Sequence, residues 1–433
     1  MKTTPRSQVR LPFQGLSGHS WLNLAMAGLI VFYFAQVFLD VARGNLFGNL
    51  GVDFASFWSA GYIANRYGYA SVYDLELMAQ FQHQLMPAGA ATSTAFRVIP
   101  TPYLPVFLLP FQSLALLPPS IAAGAWIVLN LVGCALYLRT FASRVAGHGS
   151  GTRLALMLMI SAPAFLNFFL GQANLWLMIC VGEFLLAARA GKAFPSGVWL
   201  AGLLLKPQCL ILIVPAVLMQ RWWRTTLGVM TASVVIIGCS WLLAGTDALS
   251  RLVQLWLGYM GGLPTNDLQL MMNWRMVGLH LSRLSTPQLG WTAAILGLAA
   301  TALAALYLWR ARLDVSSPRF PVALVGTLAA TGAVTWHSHV HMAMIMIPPL
   351  AYLHLKHREL LRARLEWWVF LPAGVNFIRL MLAAVMRASI LSSSIIPLLD
   401  SLAGIGQLSV NLYLLGWALD QARSWKAEPV GTT

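Results

Sequence analysis

Trp21-Leu-Asn-Leu-Ala-Met-Ala-Gly-Leu-Ile-Val-Phe-Tyr-Phe-Ala-Gln-Val-Phe-Leu39 carries no charge from end to end. As a helix rising 1.5 Å per residue it reaches about 28 Å, the thickness of the hydrocarbon core of a bilayer. Lys2, Arg6 and Arg10 precede it and Asp40 follows it. A secretory signal would end in a small-x-small cleavage site, whereas here Gln36 to Asp40 simply leave the membrane, so the segment reads as a retained first helix. The rest of the chain has the same character: 58% of its 433 residues are hydrophobic and 9% are charged, against about 25% charged in an ordinary soluble domain.

Further apolar runs of crossing length occupy 120–138, 153–170, 174–190, 225–244, 287–309, 319–336, 339–354, 366–388 and 396–419. Two shorter ones, 195–205 and 207–219, flank Lys206-Pro207 and read as a hairpin of half-length helices. A proline-broken stretch at 103–117 reads either as entering the membrane without crossing it or as a full crossing, in which case the basic 139–153 loop breaks the charge rule. The expectation is an all-α integral membrane protein of about 12 transmembrane helices, one transmembrane domain over 1–433 with no soluble domain. Short basic loops then fall on one side: Arg139, Arg144 and Arg153; Arg189 and Lys192; Arg221 and Arg224; Arg310, Arg312 and Arg319; and Lys356, Arg358, Arg362 and Arg364. Positive loops stay in the cytoplasm, which puts the 1–20 and 420–433 tails inside. Two long loops, 40–102 and 245–286, go outside. Loops of that length are usually functional, and aromatics such as Phe57, Trp58, Trp256 and Trp274 suit short helices lying on the membrane surface.

The net charge of +15 is accounted for by these loops, and no basic stripe with interleaved aromatics suggests nucleic acid. Cys134, Cys180, Cys209 and Cys239 lie in apolar segments without CxxC spacing and read as buried free thiols. There is no P-loop and no dinucleotide fingerprint. Intramembrane charges are few apart from Glu183, Lys206 and Arg379, whereas proton-coupled transporters usually carry acidic relays. No repeat of half the chain length supports an inverted-repeat transporter. What remains is an enzyme acting on a lipid-borne substrate at the outer face, with a flippase or transporter without chemistry as the alternative.

Few residues can carry that chemistry. Asp53, in Gly51-Val-Asp-Phe-Ala-Ser-Phe-Trp-Ser-Ala-Gly61, can take a proton from an incoming hydroxyl or cap the helix starting at Phe54. Asp74 and Glu76 read as caps or solvated charges. Lys206 can hold a phosphate, helped by a half-helix N-terminus at Pro207, or it can snorkel to the interface. His337-Ser-His339-Val-His341 can bind a metal, contact a phosphate or sugar, or be interfacial. On a helix only His337 and His341 share a face, so a three-histidine metal site needs extended backbone. Arg97, Arg275 and Arg379 are weaker candidates for anion contact.

The order of these marks resembles a known family. After the first-loop aspartate come Gly68-Tyr-Ala-Ser-Val-Tyr73-Asp74 and Pro100-Thr-Pro102-Tyr-Leu-Pro105; Gly171-Gln172-Ala-Asn174 and Ala201-Gly-Leu-Leu-Leu-Lys206-Pro207 follow, before Arg221-Trp-Trp-Arg224. Over residues 20–225 this is similar to glycosyltransferase family 87. These are bacterial multi-pass transferases of the GT-C architecture, related to polyprenyl-phosphate-mannose-dependent mannosyltransferases.

The resemblance implies a GT-C-like helix bundle in the bacterial inner membrane. It implies inverting transfer of a sugar, mannose foremost, from a polyprenyl phosphate to a lipid or glycan hydroxyl outside. Asp53 would be the catalytic base, and Lys206, His337, His341 and Arg97 would hold the donor phosphate. Tyr73, Asp74, Tyr103, Gly171, Gln172, Asn174 and His339 would line the substrate cavity. Related loops often read Tyr-Pro-Pro where this chain has Pro100-Thr-Pro-Tyr103, and the commonest GT-C signature pairs two acids where Asp53 stands alone. The expected partners are the donor, the acceptor and membrane lipids; no cofactor and no metal-ligating residues are called for, and a divalent metal stays open.

Overall fold

The computed structural model describes residues 18–44, 46–85, 98–147, 151–260, 271–388 and 396–424. Arg97, Ser392 to Ser394 and the chain ends lie outside them. The described residues are helical, with two isolated bridges (Leu46 with Leu50, Met271 with His339) and no β-strand.

Among the described residues six helices are long and apolar enough to cross a membrane: Ser20–Ala42, Pro119–Ala146, Trp223–Gly258, Pro287–Tyr307, Arg358–Leu382 and Ser401–Arg423. The bent pair Thr152–Met159 and Ala162–Leu170, which turns by 62°, makes a seventh if it is one span. The twelve runs counted from hydropathy differ from this because hydropathy counts apolar residues whether or not they form one continuous helix. Pro105–Leu114, Ala193–Leu205, Pro207–Met219 and Arg319–Val334 are apolar but shorter. Pro105–Leu114 rises only about 15 Å, half a bilayer core. The long helices present bare apolar faces: Val31, Phe34 and Phe38 are 68%, 72% and 61% exposed, a surface suited to lipid. Cys239 is on such a face, while the other three cysteines are buried.

The interior is organised around Arg319–Val334, in which every residue from Phe320 to Val334 is buried. Its Gly, Ala and Thr side chains let neighbouring helices approach closely. The hydroxyls of Thr327, Thr331 and Thr335 each donate at 2.8 Å to the carbonyl four residues back, so no polar group there is left unpaired in an apolar setting.

The bundle has two chemically different ends. At one, Arg189 donates to the carbonyls of Val315, Ser316 and Ser317. Gln220 donates to those of Trp309 and Ala311, and Arg310 reaches Ala422. The 310–318 loop thus gathers several basic connectors at a single end. Arg144 pairs with Glu183 at 2.7 Å. The helix Asn174–Arg189 runs away from this end and, over about 24 Å, delivers Asn174 and the preceding Gln172 to the other.

Candidate active site

At that other end the local sequence frees an aspartate. Gly51, in the left-handed region at φ 72°, occupies the N-cap of the helix Val52–Tyr67, and its amide donates to the Phe169 carbonyl at 2.8 Å. Asp53 therefore sits in the first helical turn and is not the cap. Asp74 does cap: its Oδ1 accepts from the amides of Glu76 and Leu77 at the start of Leu75–Leu85.

The helix Ala162–Leu170 ends at Gly171, also left-handed at φ 74°. The Gly171 carbonyl accepts from Trp126 at 2.9 Å, and a β-carbon there would stand 2.6 Å from that of Phe54. This close approach turns Gln172 toward Asp53. Gln172 Nε2 donates to Asp53 Oδ2 at 2.7 Å, and Lys206 Nζ donates to Gln172 Oε1 at 3.0 Å. Gln172 is 7% exposed and Lys206 5%, while Asp53 is half-buried. Burial pushes the Asp53 carboxyl above the ordinary carboxylate range, opposed by the Gln172 hydrogen bond and the Lys206 charge.

Lys206 lies at a break between the 3-10 turns Gly202–Leu205 and Pro207–Leu210. The expected half-helix at Pro207 begins as that single 3-10 turn, so it presents no helix N-terminus to an anion.

The histidine turn faces the same region. Asn174 Nδ2 lies 2.8 Å from His341 Nδ1 and 3.2 Å from the His341 carbonyl. A carbonyl oxygen only accepts, which fixes this amide nitrogen as the donor. His341 Nδ1 is then the acceptor, and the ring proton sits on Nε2. His339, extended at φ −110°, pairs with Met271. Its ring meets those of His337 and His341 at centroid distances of 4.8 and 5.6 Å. Burial, with the neighbouring His339, Lys206 and Arg275, holds His337 well below its ordinary pKa, hence neutral. Among the described residues no group of three His, Cys, Asp or Glu side chains is arranged to hold a metal ion.

Tyr103 packs on Phe57, one turn beyond Asp53, with ring centroids 5.5 Å apart, and its carbonyl accepts from the Tyr73 hydroxyl at 2.8 Å. Trp256, near the end of the helix Trp223–Gly258, donates to the Pro102 carbonyl at 2.9 Å and so braces the segment that leads to Tyr103. Tyr73 also lines an open cavity of about 250 Å³ with Leu75, Arg251 and Gln254.

The structure thus joins Asp53, Gln172 and Lys206, and separately Asn174 and His341. Arg97 is outside the described residues. The bridging role of Gln172 had no local signal, since its partner Asp53 is 119 positions away. Trp126 and Trp336, which position backbone and side chains here, had none either.

The model of glycosyltransferase family 87 matches residues 101–335, just over half of the chain. Gln172 and Lys206 fall inside the match, Asp53 before it and the three histidines just after. No curated protein and no solved structure matches the chain.

Proposed function

On the premise that the chain belongs to glycosyltransferase family 87, we propose that this membrane glycosyltransferase takes its sugar, mannose foremost, from a polyprenyl phosphate. The acceptor is a lipid or glycan hydroxyl at the outer face of a bacterial inner membrane. Both chain termini lie in the cytoplasm, a placement supported by the basic connectors gathered at the opposite end from Asp53. The observation that carries the reading is the buried Asp53–Gln172–Lys206 chain.

Asp53 is the base. The acceptor O–H proton passes to its carboxylate while the acceptor oxygen bonds to the sugar C1. The bond from C1 to the phosphate oxygen breaks, and its electron pair leaves with the phosphate. Attack opposite the leaving group inverts the anomeric centre. A placed base is worth about 10²–10⁴ in rate.

Lys206, His337 and His341 bind the donor phosphate, Lys206 as a point charge and His341 as a neutral donor through Nε2–H. Gln172, holding both Asp53 and Lys206, sets their separation and keeps the carboxylate from collapsing into a direct ion pair. Tyr73, Tyr103, Gly171, Asn174 and His339 shape the cavity, with Asp74 fixing the helix beside it.

Transfer of radiolabelled mannose from synthetic polyprenyl-phosphate mannose to a membrane-lipid extract tests this, with Asp53→Asn alongside. Transfer by the wild type that vanishes in the variant supports both the reaction and the base. Equal transfer by the two removes Asp53 from the mechanism. No transfer by the wild type across a panel of polyprenyl-phosphate sugars sinks the donor class.

A further inference from the structure

Arg275 stands in the first turn of the helix Trp274–Leu284, in the second outer loop. That helix is fastened to the histidine turn. Asn273 accepts from the Met276 amide at 3.0 Å and donates to the Thr335 carbonyl at 2.9 Å. The Met272 amide donates to Ser338 at 3.0 Å. The Arg275 guanidinium lies 4.6 Å over the Trp336 ring, and Trp336 stacks in turn on Trp291 at 6.2 Å.

Arg275 is only 7% exposed, yet its Nε and Nη1 are buried without a hydrogen-bond partner among the described residues. A guanidinium removed from water needs an anion or acceptors to offset its desolvation, and the tryptophan face supplies neither. Its charge, like that of Lys206, is felt at His337, which places the two cations around one turn.

We propose that Arg275 is a substrate-binding residue that grips the donor phosphate and holds it more tightly as it leaves. This rests on the polyprenyl-phosphate reading above. Before transfer the phosphodiester carries one negative charge and Asp53 another. Afterwards Asp53 is neutral and the phosphate is a monoester with close to two charges at neutral pH. The reaction therefore moves one charge from the base to the phosphate. Lys206 is tied to the Asp53 side through Gln172. Arg275 has unused donors in a planar fork that matches phosphate oxygens, so its contact strengthens as the bond breaks. Interactions that grow toward the transition state raise kcat.

The test uses full-length protein with Arg275→Met and Arg275→Lys, thermal unfolding reporting whether each folds. Arg275→Met is expected to lower kcat about a hundredfold while donor KM changes by less than about threefold. Millimolar methylguanidinium restores part of the lost rate, which a purely structural arginine would not allow. Binding is read separately by thermal shift with polyprenyl phosphate and with uncharged polyprenol. Affinity for the phosphate falls about tenfold or more in both variants, because an ammonium lacks the fork, and polyprenol is unaffected. If Arg275→Met fails to fold, Arg275→Lys carries the binding test. A folded variant with kcat within about twofold of wild type, or unchanged affinity for polyprenyl phosphate, overturns the proposal. So does an equal effect with phosphatidylglycerol, which would assign Arg275 to a bulk lipid headgroup. Because binding is read without turnover, it stands or falls independently of whether the wild type transfers sugar.

Discussion

Asp53 and Lys206 meet through one side chain: Gln172 donates to the first at 2.7 Å and accepts from the second at 3.0 Å. A direct contact would hold the carboxylate strongly ionised and make it a poor base. An amide between them transmits part of the lysine's influence and leaves burial as the larger effect on Asp53.

The pH profile should report this balance. With Asp53 as the proposed base, transfer requires the ionised carboxylate, so kcat/KM should fall as pH drops through a value above the ordinary carboxylate pKa. Gln172→Met removes a hydrogen bond that favours the ionised form. Its acid limb should move to higher pH, with transfer at pH 7 down about ten- to a hundredfold. Acid limbs that coincide in the two proteins would detach Gln172 from the base.

Asp53→Asn should lose transfer by about three orders of magnitude without losing the fold. The folded-state pKa of Asp53 lies above its unfolded value. Stabilisation from its protonation is therefore complete below the unfolded pKa and lost as pH rises through the folded one. At pH 7 the carboxylate is a burden on the fold that asparagine lifts, so the variant should melt no lower than wild type. A substantially lower melting temperature would contradict that sign.

Asn174 fixes which nitrogen of His341 carries the proton. Asn174→Asp replaces a donor by an acceptor, moves the ring proton to Nδ1 and takes the donor away from Nε2. Transfer should fall by about tenfold or more, and further than in Asn174→Ala, where the ring chooses its own tautomer. Steady-state rates of the two variants, measured side by side, decide it; a milder effect for aspartate would refute the assigned tautomer.

How much of this was legible in the chain depends on the distance over which each part is determined. The first helix, read at 21–39, forms at Gly18–Ala42, because lipid demands a continuous helix and hydropathy registers lipid. Arg319–Val334 reads equally apolar but is buried on every side; composition does not separate a lipid-facing helix from a protein-enclosed one. Asp53 was visible as a candidate. Its release from capping was not, since that depends on the left-handed Gly51 two residues earlier. Lys206 stood out because a lysine between leucines is expensive. Gln172 and the donor-rich face of Arg275 emerge only when segments far apart in sequence meet.

Gly171→Ala should be costly twice over. A side chain at φ 74° is strained, and its β-carbon would collide with Phe54 at 2.6 Å. The loss should be about 2 kcal/mol or more of stability. Transfer should fall as Gln172 is displaced from Asp53. Denaturant titration together with transfer rates would show both, and a variant that melts and turns over like wild type would contradict the packing.

The bond between Asn174 and His341 spans 167 positions, and this has a bearing on how the protein is born. A ribosome delivering the chain in order releases Asp53, then Gln172, then Lys206, so the carboxylate and its tether can assemble while the remaining half of the polypeptide is still unmade. The histidine turn and the arginine beside it arrive last. On the proposed mechanism the nascent protein therefore passes through a stage with a base and only part of its grip on a leaving group. On that mechanism it gains competence for transfer only after the histidine turn has followed.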